Sequence, residues 1–454
     1  MGFPLWNGSV RDILYQLGML MRRSAPVLQS RLAARSLAAA SLAGFAGLAL
    51  PASGALGADL LATKAKDAYV RACTAQGDRF YYIPGTDTCV RIGGYAWAEG
   101  YYNTYTDYPL QNDKTYSVAT AGLILDARTE TEYGTLRSYI ETRFRWRTAD
   151  PWSNGPTGSE LEVWNIYVQF AGFTVGHAQS FFDFYANANV LGTDPATIGD
   201  DTRINLIAYT YEFTKGLSAT VSFEDASDRR GGIFASDPAT FSTDDFQAGQ
   251  SWPEIVANLK YEGEWGSAQL SGALHQVNAL SLLAPLAVTE GGWGFAVQAG
   301  VMFNLPMLGE GDTLYLQTAY ADGAVSYLGL QDPSGAYTPP DAFLNPFGVS
   351  RVTGWNATAS LLHNWNEKWS SAVFGGYAAY DFNNAAAQLF YGASGGTNYN
   401  VGGYVAFAPV KHLSIALQYD HTYNSASDYF PAAFAPATAS VNADRVLLFV
   451  SRDF

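Results

Sequence analysis

The chain has 454 residues, of which 26 are Lys or Arg and 41 are Asp or Glu, giving a formal net charge of −15. This acidic balance argues against nucleic acid as a partner, because phosphates are bound by basic patches. Charged residues make up only 15% of the chain, and aromatic residues also 15%, whereas a soluble globular domain usually has ~25% charged residues. Beyond the N-terminal region, no apolar stretch reaches the ~18 residues of a spanning helix.

Residues 1–57 are typical of an export signal. An apolar, Ala/Leu-rich segment at 36–50 is followed by small residues and is too short for a membrane-anchoring helix. The positive residues ahead of it are Arg22, Arg23, Arg31 and Arg35. Cleavage is expected before Ala58, with Ser53 and Ala55 as a rival pair of small residues ahead of the cleaved bond. A start of translation at Met19 or Met21 is a further hypothesis. Removing residues 1–57 leaves 21 basic and 40 acidic residues, a net charge of −19.

Residues 58–89 form an N-terminal periplasmic segment that contains both cysteines of the chain, Cys73 and Cys89. In an oxidising periplasm the two thiols should pair, and closing a loop of this size contributes ~3 kcal/mol in the chain-entropy model. A zinc site needs more ligands than two thiols without a nearby His. The sequence therefore predicts a disulfide clasp ahead of the first strand, and it implies no metal and no cofactor.

From Val90 to Phe454 apolar and polar residues alternate with a period of two, which is typical of strands with one apolar and one polar face. In segment 217–224, for example, Leu, Ala, Val and Phe alternate with Ser, Thr, Ser and Glu. Sixteen strands are predicted. They span 90–101, 118–132, 135–148, 161–171, 172–181, 202–213, 216–225, 253–264, 267–278, 290–304, 312–322, 352–364, 368–381, 397–408, 411–422 and 442–454.

Tight connections such as Tyr133–Gly134 and Trp265–Gly266 alternate along the chain with long loops. This asymmetry is typical of barrels in the bacterial outer membrane, where the tight turns are periplasmic and the long loops extracellular. A soluble β-sandwich shows similar alternation, but it does not explain sixteen strands, asymmetric loops and an export signal together. An all-β, 16-stranded antiparallel transmembrane barrel is therefore predicted, with Phe454 as the C-terminal assembly signal. Barrels of this size enclose a water-filled channel.

The predicted strands 118–132 and 135–148 carry a pattern of charges on one face. Arginines cannot favourably face lipid, so this face is expected to line the lumen. The predicted pore wall comprises Asp126, Arg128, Glu130, Glu132, Arg137, Glu141, Arg143, Arg145 and Arg147. A cross-strand pair of Glu130 and Arg137 is expected beside the tight turn. The same charges could also merely solvate a wide lumen.

The loop 182–201 carries four acids and no Lys or Arg, namely Asp183, Asp194, Asp200 and Asp201. From its position after a short fifth strand, it is expected to fold inward as a constriction loop that opposes the basic wall. The two would then create a transverse field, by the logic of charged rings in channels. A solvated surface loop is the alternative.

Several segments resemble the porins of α-proteobacteria of the rhizobial and Brucella group. They are ADLLATKAKDAYVRACTAQGDRFYYIPGTDTCVRIGGY at 58–95, LDARTETEYGTLRSYIETRFRW at 125–146, FAGFTVGHAQSFFDF at 170–184 and the C-terminal SRDF. The resemblance implies a homotrimer of 16-stranded barrels, a Cys73–Cys89 disulfide, a third loop that constricts each pore, and passive diffusion of small hydrophilic molecules and ions. Loops 225–252, 323–351 and 423–441 match no pattern of that family.

Other functions are less favoured by the sequence. An enzyme is disfavoured because the five His are scattered and no G-x-S-x-G or H-E-x-x-H motif is present. A gated transporter is disfavoured because residues 58–89 are too few for a plug domain. A substrate-specific passive channel for sugars or anions stays open, and so does binding of host or phage receptors by the long loops. Outer-membrane lipid and lipopolysaccharide are expected partners, and the excess of acids favours cation selectivity.

Overall fold

The computed structural model describes residues 71–106, 114–148, 158–193, 197–199, 201–235, 246–281, 288–330, 339–345, 348–383, 394–425 and 440–454. The predicted export signal and the start of the N-terminal segment therefore lie outside the described residues. The described part of the chain is almost entirely β-structure, with twenty strands and three short 3₁₀ turns. No helix in it is long and apolar enough to cross a membrane.

Sixteen of the described strands form one closed sheet. They are β2 (Cys89–Thr106), β3 (Thr115–Thr131), β4 (Gly134–Arg147), β5 (Gly158–Phe170), β6 (Phe173–Gln179), β7 (Arg203–Thr214), β8 (Leu217–Glu224), β10 (Glu254–Gly263), β11 (Gly266–Leu280), β12 (Val288–Asn304), β13 (Thr313–Asp322), β16 (Thr353–Asn366), β17 (Trp369–Asp381), β18 (Gly395–Val410), β19 (Leu413–Asn424) and β20 (Val441–Asp453). The short strands are β1 (Tyr81–Tyr82), β9 (Ile233–Ala235), β14 (Ala342–Asn345) and β15 (Gly348–Arg351).

Each of the sixteen strands pairs antiparallel with its neighbours, and β20 pairs with β2, so the sheet closes into a barrel without a free edge strand. At this seam Tyr95 lies opposite Asp453. The predicted 16-stranded antiparallel barrel is confirmed. The predicted strand bounds agree within about three residues, except that β2 continues to Thr106 instead of ending at 101.

The two faces of the barrel differ sharply in chemistry. On β8, Val221 and Phe223 are 49% and 48% exposed, whereas Thr220 and Ser222, which alternate with them, are buried. The same alternation of exposed apolar and buried polar side chains runs along the other barrel strands. Apolar side chains turned outward are favourable when the surrounding medium is lipid, so the outer face is a membrane-facing surface.

The C-terminus closes against the first barrel strand. The backbone N–H of Phe454 donates to the carbonyl of Gly94 at 3.0 Å, and the N–H of Gly94 donates to the carbonyl of Phe454 at 3.2 Å. A Cβ on Gly94 would come within 2.7 Å of the Phe454 ring and 2.3 Å of the Gly122 carbonyl. Only glycine at position 94 leaves space for the terminal aromatic ring.

The N-terminal segment is held by the predicted disulfide. Cys73 and Cys89 are bonded, with their Cα atoms 6.0 Å apart, and both are buried. Strand β1 pairs with the start of β2, which brings Phe80 into the small core around the disulfide. The prediction of a disulfide clasp ahead of the first barrel strand is therefore confirmed.

Two long loops contain structure that was not predicted. Strands β9, β14 and β15 form a separate three-stranded sheet, in which β9 and β14 run parallel. A 3₁₀ turn, Val325–Leu328, packs into a buried apolar cluster with Phe182 and Phe343. Phe182 belongs to the predicted constriction loop, so these loops are packed inward on it.

Candidate functional site: the inner face of the barrel

The arginines predicted to line the pore share the inner face of β4. Register places Arg143 opposite Gly122 on β3, and the outward neighbours Phe144 and Trp146 are 53% and 52% exposed. Because successive side chains of a strand point to opposite faces, the arginines point into the barrel. We call this set the arginine wall: Arg137, Arg143, Arg145 and Arg147. The Arg147 guanidinium lies 5.7 Å from the ring centroid of Tyr116, also on the inner face.

Asp126 connects the charged residues of the inner face that lie nearest the tight turns. Its side chain is fully buried, and its carboxylate lies 3.6 Å from Arg91, 2.7 Å from Arg128 and 3.0 Å from Arg137. The Arg128 guanidinium also lies 4.7 Å from the ring centroid of Phe80 in the disulfide-bonded segment. One carboxylate thus neutralises part of a cluster of three cations, and the N-terminal segment packs beside it.

The expected pair of Glu130 and Arg137 is wrong. Glu130 lies opposite Thr135, whose hydroxyl donates to its carboxylate at 2.9 Å, and Arg137 lies opposite Arg128. The hairpin closes one residue earlier than predicted, with Thr131 opposite Gly134. A shift of the turn by one residue moves each cross-strand partner by two, which is why the side chains kept their face but changed neighbours.

Farther from the tight turns, carboxylates neutralise part of the positive charge of the arginine wall. The Tyr95 hydroxyl donates to Glu141 at 2.8 Å and accepts a hydrogen bond from Arg143 Nε at 2.6 Å. On β5, Glu162 lies 2.5 Å from Arg145 and 3.8 Å from Arg143. Sequence reasoning missed Glu162, although its alternation with Leu161 and Val163 places it on the face opposite to those apolar residues. The wall is therefore an ionic lattice of both signs.

Trp164 is a further inner-face residue that sequence reasoning missed. It is the extra residue of a β-bulge in β5, between Val163 and Asn165, which pair with adjacent residues of β4. Arg143 Cζ lies 3.5 Å and Arg203 Cζ 4.3 Å from the ring centroid of Trp164. Bulges commonly redirect a side chain next to a functional site, and here the bulge brings an indole ring between the wall and the start of β7.

A signal for this bulge is present in the sequence. In β5 the exposed apolar residues Leu161 and Val163 have odd numbers, whereas Ile166 and Val168 have even numbers. A change of parity within one strand indicates an inserted residue. The position of Trp164 could have been predicted from this change.

Residues 180–202, here called the inner loop, connect β6 to β7 and follow the inner face of the barrel. The N–H of Tyr185 donates to Gln317 on β13 at 2.8 Å. Further along, the Thr193 hydroxyl donates to Glu99 on β2 at 2.6 Å. Around the ring of sixteen strands, β13 lies six strands from β6, where the loop begins, and β2 lies six strands beyond β13. The inner loop therefore crosses the interior.

Of the four acids predicted for the inner loop, the two that the structure describes do not pair with the arginine wall. Asp183 is buried and lies 3.1 Å from Arg229 of the loop after β8. Asp201 pairs with Arg203. Each of these acids therefore has its own local cation. Asp194 and Asp200 lie outside the described residues.

A cavity of about 560 Å³ lies between the inner loop and β7 to β13, on the side of the tight turns. Its lining mixes polar and charged groups such as Lys260, Glu262 and Gln269 with the aromatic rings of Phe184 and Tyr315. Such a lining is compatible with water, and it continues the polar character of the inner face below the inner loop.

A closed 16-stranded barrel with an apolar outer face, a charged inner face and a loop crossing its interior defines a bacterial outer-membrane β-barrel of the porin class. The sequence model of the porin subfamily matches residues 60–445. The chain belongs to this family, and its place is the outer membrane.

Relatives and solved structures agree with this assignment. The chain is 32% identical over 237 residues to porin Omp2b of Brucella canis, which covers 50% of this chain and 62% of that protein. The match thus spans less than two thirds of the curated relative. The fold is similar to the outer-membrane channel DcaP of Acinetobacter baumannii, with a TM-score of 0.62 and 17% identity over 82% of this chain and 99% of that one. OmpF of Salmonella typhi, solved in complex with daunomycin, gives a TM-score of 0.50 and 11% identity, with 82% and 99% covered.

Proposed function

We propose that the barrel is a general diffusion porin, a passive water-filled channel for small hydrophilic molecules and ions. One observation carries this proposal: charged side chains of the inner face keep solvent exposure, with Glu160 at 60%, Arg91 at 32% and Arg128 at 25%. Charged groups inside a protein are costly unless water or partners solvate them. A lumen filled by packed side chains would have buried them.

The test is single-channel recording of the refolded protein in planar bilayers. Stepwise openings with a linear current–voltage relation are expected, and the reversal potential in a KCl gradient measures the ion preference. The sequence favours cations, but the mixed ionic lattice at Arg143 and Arg145 supports only a weak preference. A folded barrel that stays electrically silent would refute the proposal.

A second candidate is a substrate-specific passive channel for sugars or anions, and aromatic pairs on the inner face favour it. The rings of Tyr95 and Trp97 stack with centroids 4.4 Å apart, and those of Tyr139 and Tyr167 with centroids 5.2 Å apart. Flux of a sugar or an organic anion into vesicles distinguishes the two functions. Flux that saturates with concentration and blocks ion current supports a specific channel, and linear flux supports general diffusion.

We also propose that three barrels assemble through the outer faces of β2 and β3. Small side chains face outward there, with Ala96 and Ala98 opposite Ala121 and Ala119. Small residues permit close approach of neighbouring membrane segments. A variant Ala98→Arg is expected to run as a monomer on an unheated detergent gel, where the parent protein runs as a trimer. A parent protein that is monomeric in mild detergent contradicts the assembly.

A further inference from the structure

Two of the long loops pack inside the barrel mouth against the inner loop. They comprise the described residues 225–235 after β8 and 323–330 with 339–345 after β13. We propose that these two loops form a clamp that fixes the inner loop, and that Arg229 and Tyr327 are the positioning residues through which the clamp sets the pore cross-section. The inference rests on the proposed channel function and adds a second structural element to it.

The first contact of the clamp is ionic. Arg229 Nη2 donates to Asp183 Oδ1 at 3.1 Å, and the two side chains are only 1% and 0% exposed. The other oxygen of Asp183 accepts a hydrogen bond from the N–H of Thr202 at 2.8 Å. Asp183 therefore joins the start of the inner loop to its end, and Arg229 holds that junction. A buried charge that loses its partner is strongly unfavourable, so the contact resists opening.

The second contact is aromatic and lies beside the first. The Tyr327 ring meets the Phe182 ring edge-on with centroids 4.6 Å apart, and the Arg229 guanidinium lies 4.2 Å from the centroid of Tyr327. The Tyr327 hydroxyl donates to Glu254 on β10 at 2.9 Å. His275 on β11 contacts the same carboxylate at 2.8 Å. The ring that presses on the inner loop is thus anchored to the barrel wall.

The two outer loops act as one unit because Asp341 binds both. Its carboxylate accepts hydrogen bonds from the N–H of Val325 at 2.8 Å and from the N–H of Gly231 at 2.6 Å. The Ser326 hydroxyl donates to the carbonyl of Arg229 at 2.7 Å. Movement of one loop therefore breaks bonds in the other, and the clamp is expected to hold or release as a whole.

The clamp also reaches the far end of the inner loop. The N–H of Gly199 donates to the carbonyl of Gly329 at 3.2 Å, directly after the 3₁₀ turn that carries Tyr327. Asn356 on β16 donates to the carbonyl of Leu328 at 2.6 Å, which ties the turn to the wall. If the inner loop were bonded only to a solvent-exposed wall, water could replace its hydrogen bonds. The hydrogen bonds to the clamp are shielded from water.

The test compares single-channel recordings of the parent protein and of the full-length variants Arg229→Ala and Tyr327→Ala. The heat-dependent gel mobility of each protein first establishes that its barrel is folded. Both variants are expected to show an upward shift in conductance and loss of the single steady level. Current fluctuations on the microsecond-to-second scale of local opening should appear in its place. The matched control is Arg351→Ala. It removes an ion pair at the same rim, in which the Arg351 guanidinium lies 2.7 Å from the Asp322 carboxylate and is one third exposed. The control should conduct like the parent.

Parent-like conductance and noise in both Ala variants would overturn the clamp, even if their thermal stability falls. If the Ala variants do not fold, Tyr327→Phe decides, because it keeps the ring and removes only the bond to Glu254. Added fluctuation in that variant supports the clamp, and a parent-like trace refutes it. A parent barrel that never conducts refutes the channel function instead, so the two failures are distinguishable.

Discussion

The arginine wall and the clamped side of the same barrel use the inner face in opposite ways. Along β3 to β5, charged groups remain partly exposed, as Glu160 and Arg128 illustrate. Along β11 to β13, the inner-face glutamines Gln269, Gln298 and Gln317 are buried under the inner loop. The difference teaches that a polar inner face does not by itself mean a wet one. On one side its partners are charged side chains that keep some solvent exposure, and on the other they are the backbone of a loop.

The largest effect is expected from removing the carboxylate that joins Arg137 of the arginine wall to two further arginines. Asp126→Asn leaves Arg91, Arg128 and Arg137 without the carboxylate that they share, which should lower the free energy of unfolding by about 3–5 kcal/mol. Urea-dependent folding into lipid vesicles measures this change. As a control, Glu160→Gln, whose side chain is 60% exposed, should change it by only about 0–1 kcal/mol. Equal effects of the two variants would contradict the idea of a buried ionic hub.

The next effect concerns the segment that packs beside the arginine wall. Replacing Cys73 and Cys89 together by Ser should cost about 3 kcal/mol in the chain-entropy model, because it frees the segment whose Phe80 lies next to Arg128. Folding experiments with and without reductant measure the loss. Reductant should change the parent and leave the double variant unaffected. A parent protein indifferent to reductant would show that the disulfide does not stabilise the barrel.

The comparison is sharpened by replacing one glutamine on each side. Gln317→Leu leaves the buried N–H of Tyr185 without its hydrogen-bond acceptor. The free energy of unfolding should therefore fall by about 1–3 kcal/mol. Gln169→Leu removes an acceptor of Arg137 at 3.0 Å on the wetter side, where water can replace it, so a loss of under about 1 kcal/mol is expected. Unfolding in urea compares the two. A larger loss for Gln169→Leu would reverse the assignment of wet and dry sides.

The smallest effect is a dependence on pH at the rim of tight turns. Burial of the Asp312 carboxyl opposes ionisation, but the N–H of Asn364 and the imidazole of His363 together hold the pKa of Asp312 below its ordinary value. Stability from this group is fully present above the unfolded pKa of about 3.9 and is lost as pH falls through the lower folded pKa. Asn has no carboxyl group to protonate, so Asp312→Asn lacks this acid-sensitive contribution to the free energy of unfolding. A shallower acid loss in that variant is the expected result.

Much of the barrel could be predicted because alternation is a local property of the chain. The sixteen strands follow from alternation along the whole chain, and the lumen-facing side of β4 follows from residue parity around Arg143 and Phe144. The parity change at Trp164 is also present in the sequence. By contrast, the pair of Glu130 and Arg137 was predicted wrongly, because the position of a turn is known only to a residue or two.

The sequence by itself determined the strand count, the inner face of β4 and the disulfide partners. Only the tertiary structure decided which charges meet, since Asp183 finds Arg229, a residue far along the chain in a loop without any recognisable pattern. The physical reason is that the face of a strand depends on a period of two residues. The partner of a buried charge depends instead on the path of loops and on the register of distant strands.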